Sequence, residues 1–198
     1  NLINRPSGYV GNAHAINLNT VLNFTLKDSN ITFDTMGGGY GIKLSAVNGS
    51  SFVNIHGNNT LGDGQPFLFA ESSNNNNLTN NTVQTSGGNP TIWFYSAGYS
   101  NNFINNTITG GGMAIDLYGG AYNLFDGNYI LAPSMYGVEF RQGATENTMR
   151  NNHIVATHSS GYVFRLYESA QNNHFYNNLI NYSGSFGSIS TSNFWNTT

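Results

Sequence analysis

Asp116, Glu139 and Arg165 recur at near-equal intervals along the chain, each set between two apolar neighbours in Ile115-Asp116-Leu117, Val138-Glu139-Phe140 and Phe164-Arg165-Leu166. If one interval is one period of a stacked structure, neighbouring strands lie about 4.8 Å apart and the two carboxylates stand side by side. A retaining glycosidase places its acid and its nucleophile about 5 Å apart, so Asp116 and Glu139 are the weak catalytic candidates, with Arg165 beside them. The same periods bring Trp93, Tyr95, Tyr118, Arg141 and Tyr167 to that neighbourhood, and Tyr and Trp rings suit the apolar faces of sugars. The bland account is cross-strand pairing of acid with Arg and stacking of Tyr on Arg, both ordinary on a sheet surface.

Other polar residues carry less. His14, His56, His153, His158 and His174 are scattered over nonequivalent positions and make a poor metal shell, so no metal site is assigned. Calcium needs several carboxylates together, whereas Asp63, Asp126 and Glu146 stand isolated; calcium is unsupported and no cofactor is expected. The N-glycosylation pattern Asn-x-Ser/Thr occurs at Asn23, Asn30, Asn48, Asn58, Asn77, Asn80, Asn105, Asn181 and Asn196. Outward corner positions suit such modification.

The elements that position these groups are written as a repeat. Ile16-Asn17-Leu18, Ile42-Lys43-Leu44, Phe67-Leu68-Phe69, Ile92-Trp93-Phe94 and the three triplets above place apolar residues at i and i+2, the period of a strand with one buried face. The anchors Ile16, Ile42, Phe67, Ile92, Ile115, Val138 and Phe164 are almost evenly spaced. A second apolar position follows at Phe52, Leu78, Phe103, Phe125, Met149 and Phe175, and a third at Ile31, Val83, Ile108, Ile130, Ile154 and Ile180. Three short strands per period, without helical spacing or a Leu-rich signature, predict a parallel β-helix in which each turn bonds only to its neighbours.

Asparagine is the outlier, more frequent than any other residue type, and it recurs in NNLTNNTV, SNNFINNTI, NTMRNNHI and NHFYNNLI. Asn tolerates left-handed backbone and bonds to nearby backbone groups, which predicts Asn102, Asn105 and Asn106 at turns. Stacked on equivalent turns, such amides bond along the axis as a ladder, with Asn151 and Asn152 over Asn177 and Asn178. Gly37-Gly38-Gly39, Gly87-Gly88 and Gly110-Gly111-Gly112 each precede an anchor and mark the third corner.

This pattern, over roughly 16–180, resembles the right-handed parallel β-helix repeat superfamily of pectate-lyase-like fold, and is most like the repeat-rich cell-surface proteins of archaea and bacteria. The resemblance implies an all-β, single-stranded right-handed parallel β-helix of about seven to eight turns, with the period of 23 to 26 that separates the anchors. One domain then spans residues 1–198, with irregular or capping ends at about 1–14 and 183–198. In the lyases of this superfamily acidic residues hold calcium and an Arg acts as base; their Arg and Asp signature triplets are absent here. The uniform spacing also leaves no long loops to wall a cleft.

Only 8% of the chain is charged, with a net charge of -3, and no basic stripe exists for nucleic acid. There is no apolar run long enough for a transmembrane helix, and the absence of Cys excludes disulfides. The chain opens at Asn1 without Met, as in a processed product whose targeting signal has been removed. The polar, low-charge composition points to a secreted or cell-surface location. These features favour a non-catalytic extracellular structural protein, a rigid, N-glycosylated rod that self-assembles into a filament, sheath or layer. Phe186, Ile189, Phe194 and Trp195 at its uncapped end would dock on another copy. The alternative is a carbohydrate-active module that binds or cleaves an extracellular polysaccharide around Trp93, Tyr95, Asp116, Tyr118, Glu139, Arg141 and Arg165. As an enzyme it would be a polysaccharide lyase or glycoside hydrolase.

Overall fold

The alternation at each anchor makes a strand whose inward residues pair with the equivalent residues one period away. In the computed structural model Ile42 pairs with Phe67, Phe67 with Ile92, Ile92 with Ile115, Ile115 with Val138 and Val138 with Phe164. Every pairing in this ladder is parallel, and it builds an eight-stranded sheet from Ile16–Asn19, through Tyr40–Ser45, Gln65–Ala70, Pro90–Tyr95, Met113–Tyr118, Tyr136–Arg141 and Tyr162–Leu166, to Ser185–Ser188. The structure describes residues 2–4, 9–10, 14–33, 35–36, 39–59, 64–96, 98–188 and 192–196.

The other two sides of the solenoid form a second, 14-stranded sheet. In the early turns they are one bent strand, Thr25–Phe33 and then Ser51–Asn59, with Asp28 and Asn54 left-handed at the bend (φ 50° and 54°). From Asn77 onward they separate into short strands such as Asn102–Ile104 and Thr107–Thr109. Seven turns from 16 to 182 carry all three sides, and Ser185–Ser188 with Phe194–Asn196 adds two sides of a further one. The upper end of the expected seven to eight turns therefore counts this partial one. No helix among the described residues is long and apolar enough to cross a membrane.

The three apolar positions of each turn meet in one continuous core. Rings stack along it: Phe69 on Phe94 with centroids 4.7 Å apart, and Phe103 on Phe125 at 4.6 Å. Each fully buried Phe contributes roughly 1.5–3 kcal/mol of transfer free energy. At the third corner Gly111 packs on the backbone of Ser86 and Gly87, and Gly112 on that of Gly88, leaving no room for a side chain. Gly37 and Gly38 lie outside the described residues.

Asparagine builds two interior ladders, one at each of the other corners. The second residue of each Asn pair forms the first ladder: Asn81 donates from Nδ2 to Asn106 Oδ1, and the chain continues through Asn128 and Asn152 to Asn178, at 2.9–3.0 Å. A second ladder runs Asn76, Asn101, Asn123, Asn147, Asn173 and Asn193, again at 2.9–3.0 Å. Asn123 shows why the amide suits the position. Its Nδ2 donates to Gly98 O and Asn147 Oδ1, both at 2.9 Å. Its Oδ1 accepts from Asn101 N and Nδ2, both at 3.0 Å. All four capacities of a buried amide are thus used.

In the first ladder the residue before each amide takes the left-handed backbone, as Asn80, Asn105, Asn151 and Asn177 do (φ 54–55°). Gly127 does so before Asn128 (φ 67°). Asn102 departs from expectation. It sits in a strand, not a turn, and its Nδ2 donates outside the core to Asn77 Oδ1 at 2.8 Å.

Candidate functional site on the eight-stranded sheet

Alternation turns Trp93, Asp116, Glu139 and Arg165 away from the apolar core, and the parallel register sets them beside one another on consecutive turns. A second outward column holds Tyr95, Tyr118 and Arg141, paired in the same way. Solvent should reach both columns, yet Asp116 is 1% exposed and Glu139 2%. The side chains of Arg141 and Arg165 close over them.

Arg141 lies across both acids. Its Nη2 is 2.7 Å from Asp116 Oδ2 and its Nε 3.1 Å from Oδ1, a two-point clasp, while Nε is also 3.3 Å from Glu139 Oε2. Arg165 Nη1 holds Glu139 Oε1 at 2.8 Å. Aromatic rings fix both guanidinium groups: Arg141 lies 4.7 Å from the Tyr118 centroid, and Arg165 lies 5.0 Å from Tyr136 and 4.3 Å from Tyr167. The guanidinium is the group for this task because it stays charged, bonds carboxylates through two nitrogens and stacks on rings at the same time.

Burial pushes the Asp116 carboxyl above its usual value, although Arg141 and Trp93 pull the other way. Burial, and then the neighbouring Asp116 charge, raise Glu139 against the pull of both arginines. The bond to Asp116 holds Arg141 more firmly protonated despite its own desolvation. Trp93 Nε1 is buried without a hydrogen-bond partner; it is near enough to Asp116 to favour the charged carboxylate.

The tyrosines do not form platforms. Tyr95 and Tyr118 stack on each other with centroids 5.7 Å apart and 18° between planes. Trp93 meets Tyr95 edge-on at 5.0 Å, and Arg141 covers Tyr118. Tyr136 and Tyr162 stack likewise at 5.9 Å. One turn of rise is close to one stacking distance, so Tyr118 is held between Tyr95 and Arg141 of the adjacent turns, and one face of Tyr95 is taken by Tyr118. Tyr95 remains 49% exposed.

The remaining candidates fall elsewhere. Asn23, Asn30, Asn77, Asn80, Asn105 and Asn181 are exposed and Asn48 is half-buried, its Oδ1 accepting from Asn74 N. The side chains of Asn58 and Asn196 lie outside the described residues, as does the whole of Ile189. Phe194 is 56% exposed, while Phe186 and Trp195 are half-buried, with Trp195 stacked on Phe175 at 4.1 Å. Asp126 is bound by Arg150 and Asn151, and Glu146 faces His174 at 3.8 Å; Asp63 is outside the described residues. Among the described residues no three His, Asp or Glu stand together as metal ligands. The sequence reading missed Tyr136 and Tyr162, which pair with each other on adjacent turns and are partly exposed; they share the alternation of the inward Val138 and Phe164, so the period alone did not mark them.

Residues 40–198 match the family described as right-handed beta helix region. The fold is similar to the crystal structure of alginate lyase from Paenibacillus sp. str. FPU-7, with a TM-score of 0.58 and 16% identity. That match covers 95% of this chain and 80% of the other, and at such identity the likeness is one of fold. No curated protein sequence matches the chain. With parallel ladders on every side and a family match that spans most of its length, the chain belongs to the right-handed β-helix family.

Proposed function

We propose that the chain is a carbohydrate-active β-helix module that binds an extracellular polysaccharide across the outward side of its eight-stranded sheet. One observation carries this reading: the carboxylates of Asp116 and Glu139 are buried on the outside of the solenoid, where the fold has no need of them. Buried ion pairs are a poor source of stability, and well-packed apolar residues would close the same surface. A fixed array of guanidinium groups and phenols is instead what orients a polyhydroxylated ligand. The fold likeness to an alginate lyase supports the carbohydrate class.

Binding without cleavage is the form of this activity that the geometry favours. Asp116 and Glu139 lie beneath the guanidinium groups of Arg141 and Arg165 and are only 1% and 2% exposed, so neither carboxylate is within reach of a substrate atom. Affinity electrophoresis through gels containing plant, algal and bacterial polysaccharides tests the reading. At least one polymer should retard the wild-type chain, and Tyr95→Ala and Arg165→Ala should each weaken that retardation about tenfold, near 1.4 kcal/mol. Mobility unchanged by every polymer would sink it.

A second reading, the self-associating rod, draws support from Phe194, 56% exposed beside Phe186 and Trp195. Its test is sedimentation of the wild type against Phe194→Ser: concentration-dependent mass in the first and not in the second supports it. A monomer at all concentrations removes it.

A further inference from the structure

Resting on the polysaccharide-binding reading, we infer that this face takes an uncharged glycan strand, laid along the helix axis with about one sugar per turn. The charges decide the first half. Two arginines, Arg141 and Arg165, meet two carboxylates, Asp116 and Glu139, within ion-pair distance, so the face brings no surplus positive charge to a ligand. The charged groups around it, one negative and one positive, leave that balance unchanged. Glu168 adds a negative charge at the adjoining corner, where it accepts from Gln142 Nε2 at 2.9 Å. Lys43 lies two strands before Trp93 in the same outward column.

An acidic polymer would have to sit over two buried carboxylates with their counter-charges already in use. The chain as a whole is also negative, at -3, so long-range attraction is missing as well. Hydroxyl groups face no such opposition. The half-exposed arginines, with side-chain exposures of 25% and 33%, still offer N–H groups outside their carboxylate bonds. Phenol hydroxyls both donate and accept, which matches a neutral sugar.

The second half follows from the stacking. With Tyr95 and Tyr118 stacked on each other and Arg141 over Tyr118, a sugar finds no open ring face between these turns. It meets a file of polar tips, Tyr95, Tyr118 and Arg141, repeated once per turn at the strand spacing of about 4.8 Å. An extended pyranose chain advances by a similar length per residue. A strand laid along the axis therefore keeps register with the file, while one laid across it touches the file once.

Affinity electrophoresis with uncharged polymers (xylan, mannan, β-glucan) and acidic ones (alginate, polygalacturonate) at low and high salt tests this. The expected result is retardation by an uncharged polymer, changed less than about twofold by salt that screens charges beyond a few Å. For that polymer, affinity should rise with oligosaccharide length up to about one sugar per turn of the file. Glu139→Gln, which frees the Arg165 charge, should acquire retention by alginate that disappears in high salt. Preference of the wild type for alginate or polygalacturonate, lost in salt, overturns this inference and leaves polysaccharide binding standing. Retardation by no polymer of either kind overturns both.

Discussion

Arg141 reaches back one turn to close on Asp116, Nη2 to Oδ2 at 2.7 Å and Nε to Oδ1 at 3.1 Å. Asp116 has almost no contact with water, so removing its partner strands a charge. Arg141→Ala should cost about 3 kcal/mol, the lower end for breaking a buried pair because Arg141 is itself partly exposed. Arg141→Met combined with Asp116→Leu should recover most of that loss. Urea unfolding of the single and double variants measures both.

The amide ladder makes a sharper contrast. Asn128 Nδ2 donates to Asn152 Oδ1 and Phe103 O, and its Oδ1 accepts from Asn106 N and Nδ2, all at 2.9 Å. Asn128→Ala leaves several buried groups unsatisfied at roughly 1–3 kcal/mol each, a loss of about 4 kcal/mol. Asn105→Ala, at an exposed left-handed corner (φ 54°), should cost only about 1 kcal/mol. Denaturant midpoints that fall equally in the two variants would refute the structural weight given to the ladder.

Stability should depend on pH with opposing signs at two places. Asp116 and Glu139 have raised carboxyls in the folded chain, so the folded state holds protons that the unfolded state releases. Their contribution declines as pH rises from about 4, the ordinary carboxylate value, through the raised folded values. Burial works against charge at Asp126, but bonds from Asn151 and Arg150 leave its carboxyl lowered. That stability is present above the unfolded value and is lost as pH falls through the folded one. Urea midpoints against pH should show Glu139→Gln gaining on the wild type as pH rises, and Asp126→Asn losing ground.

Gly112 tests the tightness of the third corner. A Cβ there would meet Gly88 O, carbonyl carbon and Cα, all backbone atoms that cannot swing aside. Gly112→Ala should cost about 2 kcal/mol or more through forced separation of two turns. Gly143→Ala is the control for left-handed strain alone, since it has open space and φ 77°. Thermal unfolding of the two variants separates crowding from backbone strain.

What the sequence determined by itself was the register. Ile42, Phe67, Ile92, Ile115, Val138 and Phe164 were aligned by period alone, and the strand pairings join those same residues, because a one-residue slip would turn every apolar side chain outward. The ladder through Asn81, Asn106 and Asn128 was legible for the same reason. The ladder through Asn76, Asn101 and Asn123 was in the sequence but unread, since each of its residues lies at a corner just before a strand, where polar side chains usually face solvent. Tertiary structure decided the character of the outward face. Alternation says that Asp116, Glu139 and Tyr95 point away from the core; it does not say what lies over them. Burial of the acids and loss of the ring faces arise from contacts between side chains on different turns, a full period apart in the chain, and such contacts depend on rotamers chosen only when the turns are stacked.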